Sequence, residues 1–326
     1  MRSLDKIGDH ILDVCGLFTI KLDDFFWGAT LQNELTVSVI IPTRNRAEDL
    51  ATTIESLLSQ TVQPAELIIV DQSIEKSYRD LLPMPVVYIH DQTLSGASHA
   101  RNVGMDRARG DILLFLDDDV VMEPNFIEEI LAAYSDGVTG VSGIITNYQK
   151  PGLLRHLWEV VFFRGPFHDD RQPVYWDAAR NATSPPVRVR KFTGALMSFR
   201  RSEVQSHRFD TQLTGPCHGE DIDFCLRLPT ESVLLINPKA RLVHKRSPQG
   251  RDSTNWLAVQ AQVYNYLRYR HWYDGFWNNV CFTWLHVGQM AAAMLASVKR
   301  GSLGPWRSWR EGARKGVTIA RSEIQS

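Results

Sequence analysis

The sequence predicts an α/β protein built on a doubly wound, mostly parallel sheet, and three observations carry that prediction. Aliphatic or β-branched runs recur at Val37–Ile41, Glu66–Val70, Val86–Ile89 and Ile112–Leu116. Between them, apolar residues fall three and four apart, the spacing of helices that pack on a sheet. Three of the runs end directly in polar residues: Thr43-Arg44-Asn45, Asp71 and Asp117-Asp118-Asp119. Strands alternating with helices at this pitch give a wound sheet, and the polar residues at the carboxyl ends of its strands should line one crevice.

Each element has its own signal. Residues 1–35 form a mixed leader with Asp23-Asp24 and Trp27, expected to pack outside the main domain and to carry no chemistry. Val37–Ile41 reads as a buried strand that Pro42 ends. Leu50, Ile54, Leu57 and Leu58 mark a helix over Ala47 to Gln60. Glu66–Val70, ended by Asp71, and Val86–Ile89 are the next strands. Ser95 to Arg109 reads as a helix with a serine cap and Gly110 as its stop. After Ile112–Leu116 another helix begins at Pro124 and runs to Tyr134.

Residues 140–190, with Arg164, Arg171, Trp158 and Trp176, show little pattern, and a long insert of that kind usually serves function. Lys191–Arg200 resumes as a strand around Gly194. Gly219–Leu228 follows as a helix with Glu220, Asp221 and Asp223 in its first turn, where the helix dipole favours them. Ser232–Ile236 is the last strand, followed by Asn237-Pro238 and a short run to His244.

The chemistry concentrates after the fourth run. Ile112–Leu116 is apolar throughout, as a strand buried on both faces must be, and three aspartates follow it. Three carboxylates in succession repel one another and are costly to desolvate without a counter-charge. Hard carboxylate oxygens suit magnesium or manganese, and such a cluster at a strand's carboxyl end could hold a metal–diphosphate. A solvated acidic turn is the alternative. Asp71, at the same edge, could accept a pyrimidine N–H or a ribose hydroxyl, or simply cap a helix.

Composition narrows the class. The formal net charge of −1 argues against a nucleic-acid binder. The cysteines Cys15, Cys217, Cys225 and Cys281 form no CxxC pair; a zinc site using Cys217, His218 and Cys225 would lack a fourth ligand, so reduced thiols are expected. Ile11–Ile20 is interrupted by Asp13 and lacks a basic start and cleavage site, so a cytoplasmic location is expected.

Five motifs in order, SVIIPTRNR, VDQS, GASHARNVGMDRARGDILLFLDDDV, GEDIDFCLRL and a later His244, resemble the family 2 glycosyltransferases with the GT-A fold over residues 36–250. The resemblance implies inverting transfer from a nucleotide-sugar. On it, Asp117 and Asp119 form the DxD motif, Asp119 is the direct metal ligand and Asp118 lies near the ribose. Asp71 would read the base, while Pro42, Thr43, Arg44 and Arg101 would flank the nucleotide and its phosphates. Glu220 and Asp221 would form the ED motif with Asp221 as general base, and His244 would complete the metal or diphosphate site. The implied cofactor is Mg²⁺ or Mn²⁺. The implied partners are a UDP- or dTDP-sugar ahead of a GDP-sugar and a glycan or lipid-linked acceptor. The chain departs from the family pattern at Asp71-Gln72-Ser73, at Arg44 and in the approach HRFDTQLTGPCHGED. A sugar-phosphate nucleotidyltransferase would place a glycine-rich loop after the first strand, where this chain has Pro42-Thr43-Arg44-Asn45. A silent nucleotide-sugar-binding subunit would be expected to have lost Asp119 or Asp221.

Residues 251–326 differ in character. They hold six of the nine tryptophans and ten Lys/Arg against four Asp/Glu. Phe276–Val298 contains no Asp, Glu, Lys or Arg, but Asn278, Asn279, His286, Gln289 and Ser297 fall largely on one helical side. That pattern predicts a helix lying in a membrane interface rather than crossing it, and hence a peripheral enzyme on the inner face of the plasma membrane. A helical subdomain packed on the sheet is the alternative.

Overall fold

The computed structural model describes residues 35–76, 85–178, 183–213, 219–246 and 256–324. The leader, including Trp27, Asp23-Asp24 and Cys15, lies outside the described residues, as do Cys217 and His218.

The first half follows the predicted order: β1 (Val37–Thr43), α1 (Ala47–Leu58), β2 (Glu66–Asp71), β3 (Val86–His90), α2 (Ala97–Arg107), β4 (Ile112–Leu116), β5 (Val120–Met122) and α3 (Phe126–Ala132). The second half brings β6 (Val138–Ile145), α4 (Leu153–Phe162), α5 (Gln172–Ala178), β7 (Val187–Val189), β8 (Leu196–Arg200), α6 (Arg201–Val204), α7 (Glu220–Leu226), β9 (Val233–His244), α8 (Trp256–His271), α9 (Phe276–Arg300) and α10 (Gly304–Ile324). The strands form one sheet in the order β3-β2-β1-β4-β8-β6-β9-β5, with β7 beside β9.

The parallel half is β3-β2-β1-β4. Beyond β4 the sheet is mixed: β8 runs antiparallel to β4 and to β6, while β6 and β9 are parallel. Sequence patterning sees which residues are strand, not which way a strand returns, so this reversal is invisible to it. β4 is buried along its whole length and its alternate side chains enter two cores: Ile112, Leu114 and Leu116 on one face, Leu113 and Phe115 on the other. Each such side chain contributes about 2 kcal/mol of burial.

Several boundaries move for physical reasons. Pro42 does not end β1; it pairs opposite Val70, past the last β1–β4 pair at Ile40 and Phe115. With that ladder open, a residue lacking an N–H is tolerated. Ser95 does not cap α2; the cap is Gly96, at φ 86°. Gly110 serves a close approach rather than a helix stop, since a Cβ there would lie 2.7 Å from the Ser38 nitrogen. The unpatterned insert contains β6, α4, α5 and β7, and β9 continues through Pro238 to His244 as a single strand.

Of the C-terminal helices, α8 and α10 share a core with α7. Val263, Tyr266 and Leu267 of α8 cluster with Leu213 and Ala320, with Ile222 and Leu226 of α7 against them. α9 is long and apolar enough to cross a bilayer by length and composition. One of its faces is nevertheless packed on protein, with Cys281, Leu285, Gly288, Gln289, Ala293 and Ser297 buried.

Candidate active site

Residue pairing at the carboxyl ends of β1, β2 and β4 sets the site. Thr43 pairs with Asp71, so these two predicted residues stand side by side. Asp71 is fully buried and its carboxylate accepts from the Ser73 N–H at 2.8 Å and from the Tyr88 hydroxyl. It shapes this wall of the crevice from within.

Asp117, Asp118 and Asp119 leave β4 in three directions. Asp118 accepts from Thr43 Oγ1 at 2.7 Å and from Arg46 Nη1 at 3.0 Å. Burial pushes its carboxyl up to about 6; Arg46 and Thr43 act against that, and Asp117 and Asp119 reinforce it. Asp119 is fully buried, with Oδ1 at 2.9 Å from His244 Nε2 and Oδ2 at 3.6 Å from Arg46. Asp117 is the most open of the three, 3.8 Å from His244 Nε2 and 3.3 Å from Arg101. β5 pairs with the end of β9 so that Val120 faces His244, which is how a residue more than a hundred positions away reaches the acids.

Asp117, Asp119 and His244 each present one ligand atom within 4.8 Å of the others. Two carboxylates and an imidazole nitrogen at that spacing fit a divalent cation such as Mn²⁺ or Mg²⁺. Arg46 is the cation already beside the cluster, and sequence reasoning passed over it in favour of its neighbour. Arg44 is exposed and Arg46 half-buried among the acids. Asn45, at φ 57°, turns the chain between the two arginines. Nothing in TRNR says which arginine turns inward.

The second acidic pair stands at the start of α7. Gly219, at φ 110°, precedes it in a conformation that L side chains rarely adopt, and a Cβ there would lie 2.8 Å from Val263 Cγ1. Asp221 is half-buried; its Oδ2 accepts from the Gly194 N–H at 2.7 Å and its Oδ1 from the Ile222 N–H. Glu220 is buried and its carboxyl is raised by that burial and by Asp221, with Arg101 opposing.

Arg101 joins the two pairs. It is 2% exposed, and donates to Glu220 Oε1 at 2.8 Å, to the Gly194 carbonyl at 3.0 Å and to Asp117 Oδ1 at 3.3 Å. Buried among these partners, it ties the two sets of acids to one another. Behind α7, Asp223 is held by Arg227 and His271, and the Tyr266 hydroxyl reaches both Asp223 and Asp210. These network residues were missed as well, since they come from separate helices and share no motif.

Known proteins give the same picture. A family model described as "Glycosyl transferase family 2" matches residues 38–201. An uncharacterized glycosyltransferase of Haemophilus influenzae is 40% identical over 101 residues, 29% of this chain and 33% of that protein. The glucosyl-dolichyl phosphate glucuronosyltransferase of Haloferax volcanii is 27% identical over 70% of this chain and 74% of its own length. The succinoglycan biosynthesis protein ExoM of Rhizobium meliloti is 28% identical, with 65% and 68% covered. Among solved structures, S. aureus TarS superposes with a TM-score of 0.55 at 15% identity, over 89% of this chain and 82% of that one. GalNAc-T7 with UDP, GalNAc and Mn²⁺ superposes with a TM-score of 0.51 at 19% identity, over 73% and 51%. These last two are likenesses of fold, and they identify the mixed sheet as the GT-A scaffold. A family model spanning half of the chain settles the class: the protein belongs to glycosyl transferase family 2 and is a glycosyltransferase.

Proposed function

We propose that the protein transfers a sugar, with inversion, from a nucleotide-diphosphate sugar to a hydroxyl of a glycan or lipid-linked glycan. It does so during polysaccharide or glycoconjugate assembly on the inner face of the plasma membrane. One observation carries this: a metal-type donor set, Asp117, Asp119 and His244, is linked through Arg101 to a separate carboxylate pair, Glu220 and Asp221.

Single displacement needs charge stabilisation at the leaving group and a base on the opposite side of the reacting carbon. Asp117, Asp119 and His244 would hold Mg²⁺ or Mn²⁺, which when bound supplies positive charge to the departing diphosphate. Asp221 takes the proton from the acceptor hydroxyl as its oxygen bonds to the anomeric carbon and the nucleoside diphosphate leaves. The Gly194 N–H fixes Asp221 while Glu220 and Arg101 hold the start of its helix. Thr43 and Asp71 line the nucleotide end, with Asp118 beside the ribose. The relatives named for glucosyl-dolichyl phosphate and for succinoglycan support a lipid-linked or polysaccharide acceptor. The family match leaves the nucleotidyltransferase and silent-subunit alternatives without support.

The test is calorimetric titration of UDP, dTDP and GDP with and without Mn²⁺, on wild type and Asp119→Ala. One nucleotide should bind in a Mn²⁺-dependent way, and Asp119→Ala should abolish it. Binding indifferent to metal and to Asp119 overturns the reading.

A further inference from the structure

α9 is amphipathic the wrong way round for a helix in water. Three of its hydrogen-bonding residues point into the protein: Gln289 accepts from Trp309 Nε1, Ser297 accepts from the Trp306 N–H, and His286 lies 3.4 Å from Asn265. Its outer face is apolar, with Phe276 84% exposed, Leu295 58% and Trp284 45%. A helix settling on a soluble core places these sides oppositely.

α4, from the insert the sequence left unpatterned, extends the same surface. None of its residues is buried; Leu153, Leu154 and Leu157 are 72%, 84% and 50% exposed. The two helices pack as a unit: Trp284 Nε1 donates to the Val161 carbonyl at 2.8 Å, and the Phe162 and Trp284 rings are 5.2 Å apart. Gly288 makes room for Phe162, whose Cγ would lie 2.5 Å from a Cβ there.

We infer that the joined outer face of α4 and α9 is the surface that enters an anionic lipid bilayer, lying in the interface without crossing it. Charge identifies the occupant. Exposed Lys299 and Arg300 end α9, and Arg307, Arg310, Arg314 and Lys315 are exposed along α10, with Glu311 the exposed acid among them. Arg155 and Glu159 pair on α4, Arg164 follows it, and Asp274 precedes α9. A second copy would bring the same basic rim against itself, whereas anionic headgroups complement it, and exposed tryptophan suits the headgroup depth. The buried face of α9 argues against a span, because lipid cannot surround a helix packed on protein.

This deepens the membrane part of the proposed function and does not depend on its chemistry. The insert that carries α4 continues to Arg171, whose guanidinium donates to the Phe192 carbonyl two residues before Gly194. The lipid-facing surface is thereby tied to the wall that holds Asp221, which suits an acceptor anchored in the same leaflet.

The test is co-flotation of the full chain, without donor, on vesicles of phosphatidylcholine with and without phosphatidylglycerol. The protein should float, more completely with phosphatidylglycerol. Leu154→Glu with Leu157→Glu should cut partitioning by at least about tenfold while circular dichroism and the melting temperature stay unchanged. Lys299→Gln with Arg300→Gln should remove only the phosphatidylglycerol-dependent part. Asp221→Asn should float like wild type, which separates membrane seating from catalysis. No flotation, or flotation indifferent to the glutamates, overturns the inference. So does a wild-type dimer that the glutamates turn into monomer, which would assign the face to a second copy.

Discussion

Arg101 donates to Glu220 across 119 positions of sequence at 2.8 Å, and the same guanidinium reaches Asp117. One buried cation therefore holds the proposed metal side and the proposed base side of the site in a fixed relation. Removing it leaves a buried carboxylate without its counter-charge, and the cost of that exceeds the value of the pair itself.

Arg101→Met should accordingly lower stability by about 3 kcal/mol and reduce kcat by at least a hundredfold. Arg101→Lys should recover part of the stability and little of the rate, because an ammonium cannot span three acceptors as a planar guanidinium does. Urea unfolding and steady-state kinetics of the two variants check this; equal kcat in Arg101→Lys and wild type would refute it.

Arg46 and Arg44 should separate cleanly. Arg46→Ala strips the acidic cluster of its nearest cation and should cost about 1–3 kcal/mol in metal-free protein. Arg44→Ala, at an exposed position, should fall within about 0.5 kcal/mol of wild type. Chemical denaturation with a chelator present gives both values.

Asp118 sets a pH dependence. Its folded-state carboxyl is raised to about 6, so the unfolded chain gives up the proton first as pH increases. Stability from this group is fully present below about pH 4 and is lost as pH rises through about 6. Asp118→Asn should remove that loss, on the order of 2 kcal/mol, from metal-free stability curves taken between those limits. Parallel curves for wild type and variant would contradict it.

Asp223 behaves in the opposite sense. Burial raises its carboxyl, but hydrogen bonds from His271 and Arg227 outweigh burial and hold it below the ordinary aspartate value. Its stability contribution is present above about pH 4 and is lost as pH falls through the lowered folded value. His271→Phe should weaken the protein near neutral pH by about 1–3 kcal/mol and flatten this acid limb. Thermal melts against pH read both effects.

What was legible in the sequence was whatever repeats locally. The apolar runs gave β1 to β4, and the acids after β4 and at the start of α7 declared themselves by clustering. What was not legible depends on direction and distance. The reversal at β8 and the continuation of β9 through Pro238 follow from pairing partners, which periodicity does not encode. The choice of Arg46 over Arg44 follows from one positive φ at Asn45. The part of Arg101 follows from burial, and only the folded geometry shows its Nη1 and Nη2 on Glu220, Gly194 and Asp117. In α9 the sequence did show a polar side; which side meets the protein required the neighbours.

Tyr266 and His271, both on α8, supply hydrogen bonds to Asp223, two residues after the proposed base. An engineer seeking a tractable soluble fragment would be tempted to cut the chain after β9, discarding the hydrophobic end. That cut would also take away the back wall of the helix that carries the proposed base and leave Asp223 to Arg227 without Tyr266 and His271. Solubility is better sought by recolouring the outer faces of α4 and α9, leaving every contact behind them in place.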